Sequence, residues 1–243
     1  MNSRSIVGGA VTLALLAAVE AASSQGQAVK PPSKLSAALL EPQQEAMTST
    51  GRNRFFVLEP GYQRVLQGKE DGKTVDLVIT VLNETRRVAD VETRIVEERE
   101  SANGVLVEVS RNYFAMGARS HNAYYFGEDV DMYRNGKVTS HEGAWLAGTN
   151  ASKHGIAMPA ENKIGDTYFQ EQAPTLAMDR GETVSLTETV KSPAGTFAHC
   201  LRVKETTPLE PRNVEYKYYA PDVGLVQDGT LKLVRHGFVT RAK

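Results

Sequence analysis

The feature that most constrains this chain is a series of short segments with alternating apolar and polar residues, separated by turn residues, from Tyr62 almost to the C-terminus. Between Val75 and Val81 every second residue is apolar, the period of two of a half-buried strand. The pairs Asn103-Gly104 and Asn135-Gly136 are strong hairpin signals, because both residue types tolerate positive φ. These patterns predict an all-β domain: a strongly curved antiparallel sheet of half-barrel or barrel-like form.

No segment after Phe55 shows helical periodicity over three turns. The nearest candidate is the run Arg87–Glu100, whose apolar residues fit either period. We interpret this run as a single long strand.

The N-terminus has the layout of a secretory signal peptide. An apolar run from Ile6 to Val19 follows Arg4 and ends among small residues. This run is shorter than the roughly 20 residues that a membrane helix needs. We therefore predict a signal peptide over residues 1–22, with cleavage after Ala21 or Ala28 left open. The mature protein is expected to be exported, periplasmic or extracellular, with no transmembrane segment.

Residues 23–54 are predicted to form a flexible linker. They contain Pro31, Pro32 and Pro42 and no aromatic residue. Every aromatic side chain of the chain lies from Phe55 onward. A core needs large side chains, so the antiparallel β domain is predicted to span residues 55–243.

Charge and cysteine content exclude some classes of function. The chain has 28 Lys plus Arg against 29 Asp plus Glu, a net charge of −1, and no basic run. It therefore lacks the positive patch that nucleic-acid binding needs, and no nucleic-acid partner is expected. Cys200 is the only cysteine, so an intrachain disulfide is excluded, and burial is the favoured role for its thiol.

The sequence offers no strong metal or catalytic motif. Asp131 to Glu142 has the length of a calcium loop, but Tyr133 and Arg134 stand where oxygen ligands or neutral residues belong. The five histidines lack the spacing of a metal site, and nucleophile elbows and phosphate-binding glycine loops are missing. We predict no metal and no cofactor, name no catalytic residue, and leave open whether the protein is an enzyme.

Aromatic and acidic residues are dense between Tyr124 and Glu171, with glycines between them. Aromatic walls with a few oriented polar groups are typical of small-molecule sites, although aromatic residues also fill ordinary cores. Both interpretations stay open. The residues predicted to bind a ligand are Tyr124, Tyr125, Phe126, Glu128, Trp145, Tyr168 and Glu171.

Several motifs between Arg111 and Val234 resemble a family of exported bacterial proteins of unknown function. They are Tyr125-Phe126-Gly127-Glu128-Asp129, Glu142-Gly143-Ala144-Trp145-Leu146-Ala147-Gly148, Pro193–Phe197 with Cys200-Leu201, and Glu215–Pro221 with Val223–Val226. The resemblance implies an envelope or secreted location and no catalytic residue. The strand Pro193–Phe197, followed by Tyr218–Pro221 and Gly224–Val226, is also similar to a wider group of periplasmic β-sheet proteins, which implies a curved half-barrel that holds apolar ligands or serves as an envelope module. Asp222 replaces the glycine usual there, at a turn that needs positive φ.

Three functions follow as hypotheses. The first is an envelope or secreted protein that binds an apolar or amphipathic small molecule on a curved sheet. The second is a hydrolase that uses carboxylates such as Glu128, Asp129, Glu142 and Glu171, because paired carboxylates can divide acid and base roles. The third is a structural or protein-interaction module of the envelope.

Overall fold

The structure is a computed structural model that describes residues 39–239. The predicted signal peptide and the first part of the predicted linker lie outside the described residues. The described chain is all-β, which confirms the predicted class. Its strands are β1 Leu39–Leu40, β2 Met47–Thr48, β3 Gly51–Asn53, β4 Phe56–Leu58, β5 Tyr62–Glu70, β6 Lys73–Val88, β7 Val91–Ala102, β8 Val105–Gly117, β9 Ala123–Arg134, β10 Lys137–Ser140, β11 Trp145–Leu146, β12 Lys153–Met158, β13 Thr167–Phe169, β14 Glu171–Gln172, β15 Arg180–Ser192, β16 Gly195–Thr207, β17 Glu210–Ala220, β18 Gly224–Asp228 and β19 Leu231–Phe238.

Two antiparallel meanders build most of the sheet. Strands β5 to β9 pair in sequence order, strands β15 to β19 do the same, and β19 pairs with β5 to join the two series. At the far ends, β9 pairs with β10, β11 and β12, while β13 pairs with β15. The short strand β14 pairs with β12. One pairing is parallel, between β1 and β13, so the sheet is mixed although antiparallel pairing dominates.

The hairpin turns follow the sequence signals. Asn103 and Gly104 have φ of 50° and 77° between β7 and β8, and Asn135 and Gly136 have φ of 53° and 72° between β9 and β10. Positive φ at both central residues is the geometry of a type I′ turn, whose twist matches that of the flanking strands. The Asp222 backbone has a φ of 61°, so aspartate accepts the left-handed conformation there.

The run Arg87–Glu100 is not one strand. Ala89 and Asp90, at φ of 46° and 64°, turn the chain between β6 and β7, and Val88 pairs with Val91 across this turn. The prediction of a single strand was wrong because alanine gives no turn signal: its Cβ disfavours positive φ, and only the strand pairing imposes that conformation.

The buried face of the sheet is part apolar and part charged. Leu66, Leu77 and Leu233 are fully or almost fully buried on it. On the same face Arg64, Ile79, Glu98 and Ser110 lie side by side in register across β5 to β8. A second buried charged group combines β16, β17 and β18: Glu205, Lys217 and Asp228. Polar groups at such positions must find partners within the protein.

The described part of the predicted linker, residues 39–54, contacts the domain. β1 pairs with β13, β2 pairs with β8, and β3 forms a hairpin with β4. The Glu45 carboxylate accepts hydrogen bonds from the backbone N–H groups of Arg119 (2.9 Å) and Ser120 (3.0 Å), and from the hydroxyls of Ser120 (2.5 Å) and Tyr124 (3.0 Å). The absence of aromatic residues gave no sign of this docking, because strand pairing and polar contacts, rather than buried aromatic side chains, hold residues 39–54.

Candidate functional site

All seven predicted ligand residues are buried, between 0% and 4% exposed. They do not converge on a single site. Neighbouring residues of β9 alternate between the two faces of the strand, so Tyr124 and Phe126 lie apart from Tyr125. Glu128 and Trp145 lie side by side on β9 and β11, and Tyr168 and Glu171 lie on β13 and β14.

Tyr124 and Phe126 pack against the imidazole of His154 on β12. The His154 ring stacks on Phe126 with centroids 4.7 Å apart and meets Tyr124 edge-on at 5.8 Å. Burial lowers the pKa of His154. Together with the hydrogen bond from Tyr124 to Glu45, this packing makes the two aromatic residues part of the core rather than the wall of a ligand site.

Tyr125 is a core residue on the other face of β9. Its ring stacks on Phe114 at 4.7 Å and meets the Trp145 indole edge-on at 5.5 Å. Its hydroxyl donates to the Asn112 side-chain oxygen at 2.7 Å. These contacts hold the Trp145 ring from behind.

Glu128 and Trp145 do reach a cleft. It has a volume of about 230 Å³ and is lined by Glu128, Asp129, Ala144, Trp145, Leu146, Thr149, Asn150, Ser152 and Leu176. The turn that holds Thr149 to Ser152 follows β11 directly, with Asn150 and Ala151 at positive φ. Sequence reasoning missed this turn and Leu176. The polar residues of this turn lie close to Trp145 in the sequence and could have indicated it. Nothing in the sequence places Leu176 beside the cleft.

The cleft has an apolar wall and a polar wall. Trp145, Leu146 and Leu176 supply apolar surface, and the Trp145 indole N–H has no hydrogen-bond partner within the described residues. On the polar side, Asp129 accepts hydrogen bonds from Arg86 (2.6 Å) and the Tyr113 hydroxyl (2.7 Å). Burial and the Asp129 carboxylate raise the pKa of Tyr113 to about 12. Both bonds fix the position of the Asp129 carboxylate, and the Arg86 guanidinium offsets its charge.

Glu171 lies behind the cleft and does not line it. It is fully buried, and neither carboxyl oxygen has a hydrogen-bond partner in the part of the chain that the structure describes. Burial, followed by the nearby Asp179 and Glu128 carboxylates, raises the pKa of Glu171 well above its usual range. Burial and Glu205 likewise raise the pKa of Asp179 to about 7. These carboxyls favour their neutral forms because an ion there would lose its hydration.

Lys217 is the cation of this buried region. Its Nζ lies 2.8 Å from Glu205, which also accepts a hydrogen bond from the Gln170 amide at 2.8 Å. Despite burial, Glu205 and Asp228 hold the pKa of Lys217 well above its usual range. Tyr168 lies nearby, and its hydroxyl has no partner among residues 39–239.

A second concavity lies at the N-terminal segment. This groove has a volume of about 620 Å³ and lies between residues 39–43 and the loops that carry Arg119, Pro159 and Lys163. Its floor includes Leu40 and Ile156. Leu39 also lines the groove.

Asp131 and Cys200 have structural roles. Asp131, in the calcium-like segment, accepts a hydrogen bond from Arg111 at 3.1 Å and lies 3.1 Å from the His141 imidazole. Cys200 is buried, as expected, and burial raises the pKa of its thiol. Its Sγ is 3.4 Å from the Phe197 carbonyl oxygen.

Across residues 39–239, no three histidine, cysteine or acidic side chains are grouped so that they would hold a metal ion. Within the same range no helix has the length and apolar character needed to cross a membrane. Comparison with protein-family models, characterised proteins and solved structures found no match for the chain.

Proposed function

We propose that this chain is an exported, non-enzymatic binding protein that holds a small amphipathic molecule in the cleft between Trp145 and Leu176. The observation that carries this proposal is the division of the cleft into an apolar wall and a polar wall within about 230 Å³. A site of this kind orients a ligand that has one apolar and one polar end. The volume is below the roughly 300–1,000 Å³ of drug-sized sites, so the ligand is small or inserts only one end.

The charges of the cleft indicate the polar end of the ligand. Glu128 contributes a carboxylate, Asp129 is paired with Arg86 at 2.6 Å, and the described lining residues include no lysine or arginine. The Glu128 carboxylate would repel a carboxylate-bearing ligand. An ammonium group, by contrast, would gain charge-assisted hydrogen bonds and a place beside the Trp145 ring.

The strongly curved, half-barrel or barrel-like form of the sheet belongs to the same proposal. Its support is the pairing at both ends of the two meanders. On one side β19 pairs with β5; on the other, β9 pairs with β12, β15 pairs with β13, and β12 pairs with β14, the strand that follows β13. Charged residues on the buried face, such as Arg64 and Lys217, also fit a sheet that encloses its own polar groups. Export rests on the apolar run of residues 6–19. If the protein accumulates inside the cells with its N-terminus still at Met1, export would be contradicted.

Carboxylate-based hydrolysis has weaker support. Glu142 is exposed in the loop before β11, whereas Glu171 is fully buried and does not line the cleft. An acid must lie within hydrogen-bond reach of the substrate to transfer a proton. A structural or interaction module is the remaining alternative, and it predicts no small-molecule binding at all.

Trp145 offers a direct test, because it is the single tryptophan of the chain. Its fluorescence should change saturably with hexylamine, less with hexanol, and not with hexanoate. Replacing one carboxylate, Glu128→Gln, should weaken hexylamine binding about fivefold, the equivalent of ~1 kcal/mol for a partly screened charge pair.

The matched control is Glu142→Gln, which removes a carboxylate that is exposed outside the cleft. It should bind hexylamine as the wild type does. Equal responses to all three probes, or no response to any of them at pH 6 and at pH 8, would reject the proposed site.

A further inference from the structure

One wall of the cleft is a short loop that joins two strands. We call residues 173–178, between β14 and β15, the flap. Leu176 of the flap lines the cleft while its side chain remains 52% exposed. Across the flap, Ala173 and Ala177 exchange backbone hydrogen bonds of 2.8 and 2.9 Å. Ala173 is buried in the core and Ala177 packs against it, whereas residues 174–176 are exposed. Opening of the flap therefore has to break these two hydrogen bonds and the packing of the two alanines, but no apolar contact at the exposed tip of the loop has to be buried or kept.

The base of the flap is the place where the chain enters and leaves it, at Glu171 and Asp179. Backbone hydrogen bonds close this base. The N–H groups of Gln170 and Glu171 donate to the Asp179 carbonyl oxygen at 2.8 and 3.4 Å. Glu171 is 0% exposed and Asp179 5% exposed. The two side chains that would carry like charges thus lie buried at the two ends of the same short loop.

The charges around the base are mostly negative. The basic side chain that faces it is Lys217, which is already paired with Glu205. Arg180, next to Asp179, stacks on the Phe169 ring at 4.7 Å, and His154, opposite Glu171 in register, packs on Phe126. The ionisable groups that face the base are Glu128 on β9, His154 on β12, Tyr168 on β13, Glu205 on β16, Glu215, Lys217 and Tyr219 on β17, and Asp228 on β18.

We propose that the flap is a proton-operated cover of the cleft, closed while the carboxyl groups at its base carry protons and opened when the base loses a proton. Loss of that proton adds a negative charge that Lys217, already paired with Glu205, offsets only in part. Like charges repel strongly in a buried site, and opening lets water hydrate them. The inference rests on the proposed function, since the cleft that the flap covers is the proposed binding site.

The proton that acts near neutrality is assigned to Asp179, whose pKa lies at about 7. In the opened form Asp179 returns towards its ordinary pKa of 3.8. Closing then takes up one proton below pH 7. Linkage of one proton changes the closing equilibrium about tenfold between pH 6 and pH 8, with the closed form favoured at pH 6.

Hydrogen exchange of the ligand-free protein tests the flap without any ligand. After correction for intrinsic rates, the backbone N–H groups of Ala173 and of residues 175–179 should exchange about tenfold faster at pH 8 than at pH 6. Asp179→Asn, a neutral side chain of the same shape, should abolish this difference. Glu142→Gln, the exposed control carboxyl, should keep it. A pH-independent flap in the wild type would overturn the proposal.

Titration of His154 is a competing explanation of a pH-dependent flap, and the additional variant His154→Gln tests it. If Asp179→Asn keeps the transition and His154→Gln removes it, the proposal is wrong. Should Asp179→Asn fail to fold, Glu171→Gln takes its place, with the transition expected to move or disappear.

Binding measurements separate this proposal from the proposed function. Hexylamine that binds with equal affinity at pH 6 and pH 8 would leave the binding site intact and overturn the proton-operated flap. Pronounced pH dependence of flap exchange, with no binding of any probe at either pH, would support the flap and reject the ligand.

Discussion

Lys217 and Glu205 form a charge pair that is almost completely removed from water. Their side chains are 1% and 7% exposed, and the ammonium nitrogen lies 2.8 Å from the carboxylate. Taking two charges out of water costs several kcal/mol per ion, and only close pairing offsets that cost. Each partner therefore depends on the other.

Removing one partner should be far more damaging than removing both. We expect Lys217→Met to lower the free energy of unfolding by about 3–5 kcal/mol, because it leaves Glu205 buried without its cation. The double variant Lys217→Met/Glu205→Gln should recover a large part of this loss. Urea denaturation at pH 7 measures both.

The matched control is the surface pair of Lys204 and Glu182, with the nitrogen and oxygen 3.3 Å apart and side chains 34% and 39% exposed. Lys204→Met should change stability by less than about 1 kcal/mol. Similar losses for Lys204→Met and Lys217→Met would show that burial does not decide the outcome.

Sequence reasoning could not find Lys217. In β17, Tyr216 and Tyr218 point to one face, and Lys217 and Tyr219 point to the other. Both faces carry a tyrosine, so the aromatic residues do not show which face is buried. The structure buries Lys217 and Tyr219 and leaves the other two tyrosines half-buried. A lysine points inward only because Glu205 and Asp228 meet it there, and those partners lie on other strands. The local sequence pattern does not show which strands pair with each other, so it cannot bring these three residues together.

At the scale of elements, the Glu45 carboxylate holds residues 39–48 against the loop after β8, in addition to the strand pairings of β1 and β2. Although partial burial works the other way, hydrogen bonds from Ser120, Arg119 and Tyr124 hold the pKa of Glu45 at about 2. A carboxyl with a lowered pKa contributes stability above its unfolded pKa, and this contribution is lost as the pH falls towards 2.

Glu45→Gln should therefore destabilise the protein by about 1–2 kcal/mol at pH 7, since the amide NH₂ cannot accept the bonds from Ser120. The difference from the wild type should shrink below pH 4. Glu41→Gln, an exposed carboxyl of the same segment, should stay within about 0.5 kcal/mol. Urea titrations at pH 7 and pH 3.5 provide the comparison, and an equal effect of the two variants would contradict the role of Glu45.

The pairing of β12 with β14 depends on close backbone approach at Gly155. A Cβ at this position would collide with the Gln170 carbonyl oxygen. We expect Gly155→Ala to cost about 3 kcal/mol, the upper end of overpacking, and to speed hydrogen exchange in β14.

Gly136→Ala is the control, because an added Cβ there meets nothing within 4 Å. Its positive φ alone should cost about 1–2 kcal/mol, without any change in β14 exchange. Unchanged exchange in β14 for Gly155→Ala would show that the two strands tolerate separation.

Sequence patterns predicted the elements well where turns had residues that demand them. The hairpins at Asn103-Gly104 and Asn135-Gly136 formed as expected. The turn at Ala89-Asp90 and the short strands β1 to β3 carry no such signal. Pairing of β6 with β7 holds the turn, distant strands hold β1 and β2, and β3 pairs with the adjacent β4. The cleft shows the same limit: Glu128 and Trp145 were identified, whereas Leu176 reaches it from a loop that the sequence does not connect to them.

At the scale of the whole molecule, the buried carboxyls set how stability depends on pH. Asp179 and Glu171 have pKa values raised by burial. A raised carboxyl pKa contributes most below the unfolded pKa, and its contribution falls as the pH rises to the folded value. For Asp179 this window runs from 3.8 to about 7.

We expect the melting temperature to be higher at pH 5 than at pH 8. Between pH 5 and pH 8 the Asp179 contribution falls by about 3 kcal/mol at most. His154 and His236 act in the opposite direction, because burial lowers their pKa and their contribution is lost as the pH falls below 6.5. Calorimetry of the wild type, Asp179→Asn and His154→Gln separates the two effects. A wild type that is more stable at pH 8, with Asp179→Asn unchanged, would contradict this assignment.

The central claim, that the cleft beside Trp145 binds a small amphipathic cation, is tested most directly by NMR. The single tryptophan gives one indole N–H cross-peak, and Leu176 reports from the opposite wall. Titration with hexylamine should shift both signals saturably with one dissociation constant, while hexanoate leaves them in place. Shifts confined to surface carboxylates such as Glu142, with the Trp145 and Leu176 signals unmoved, would contradict the account.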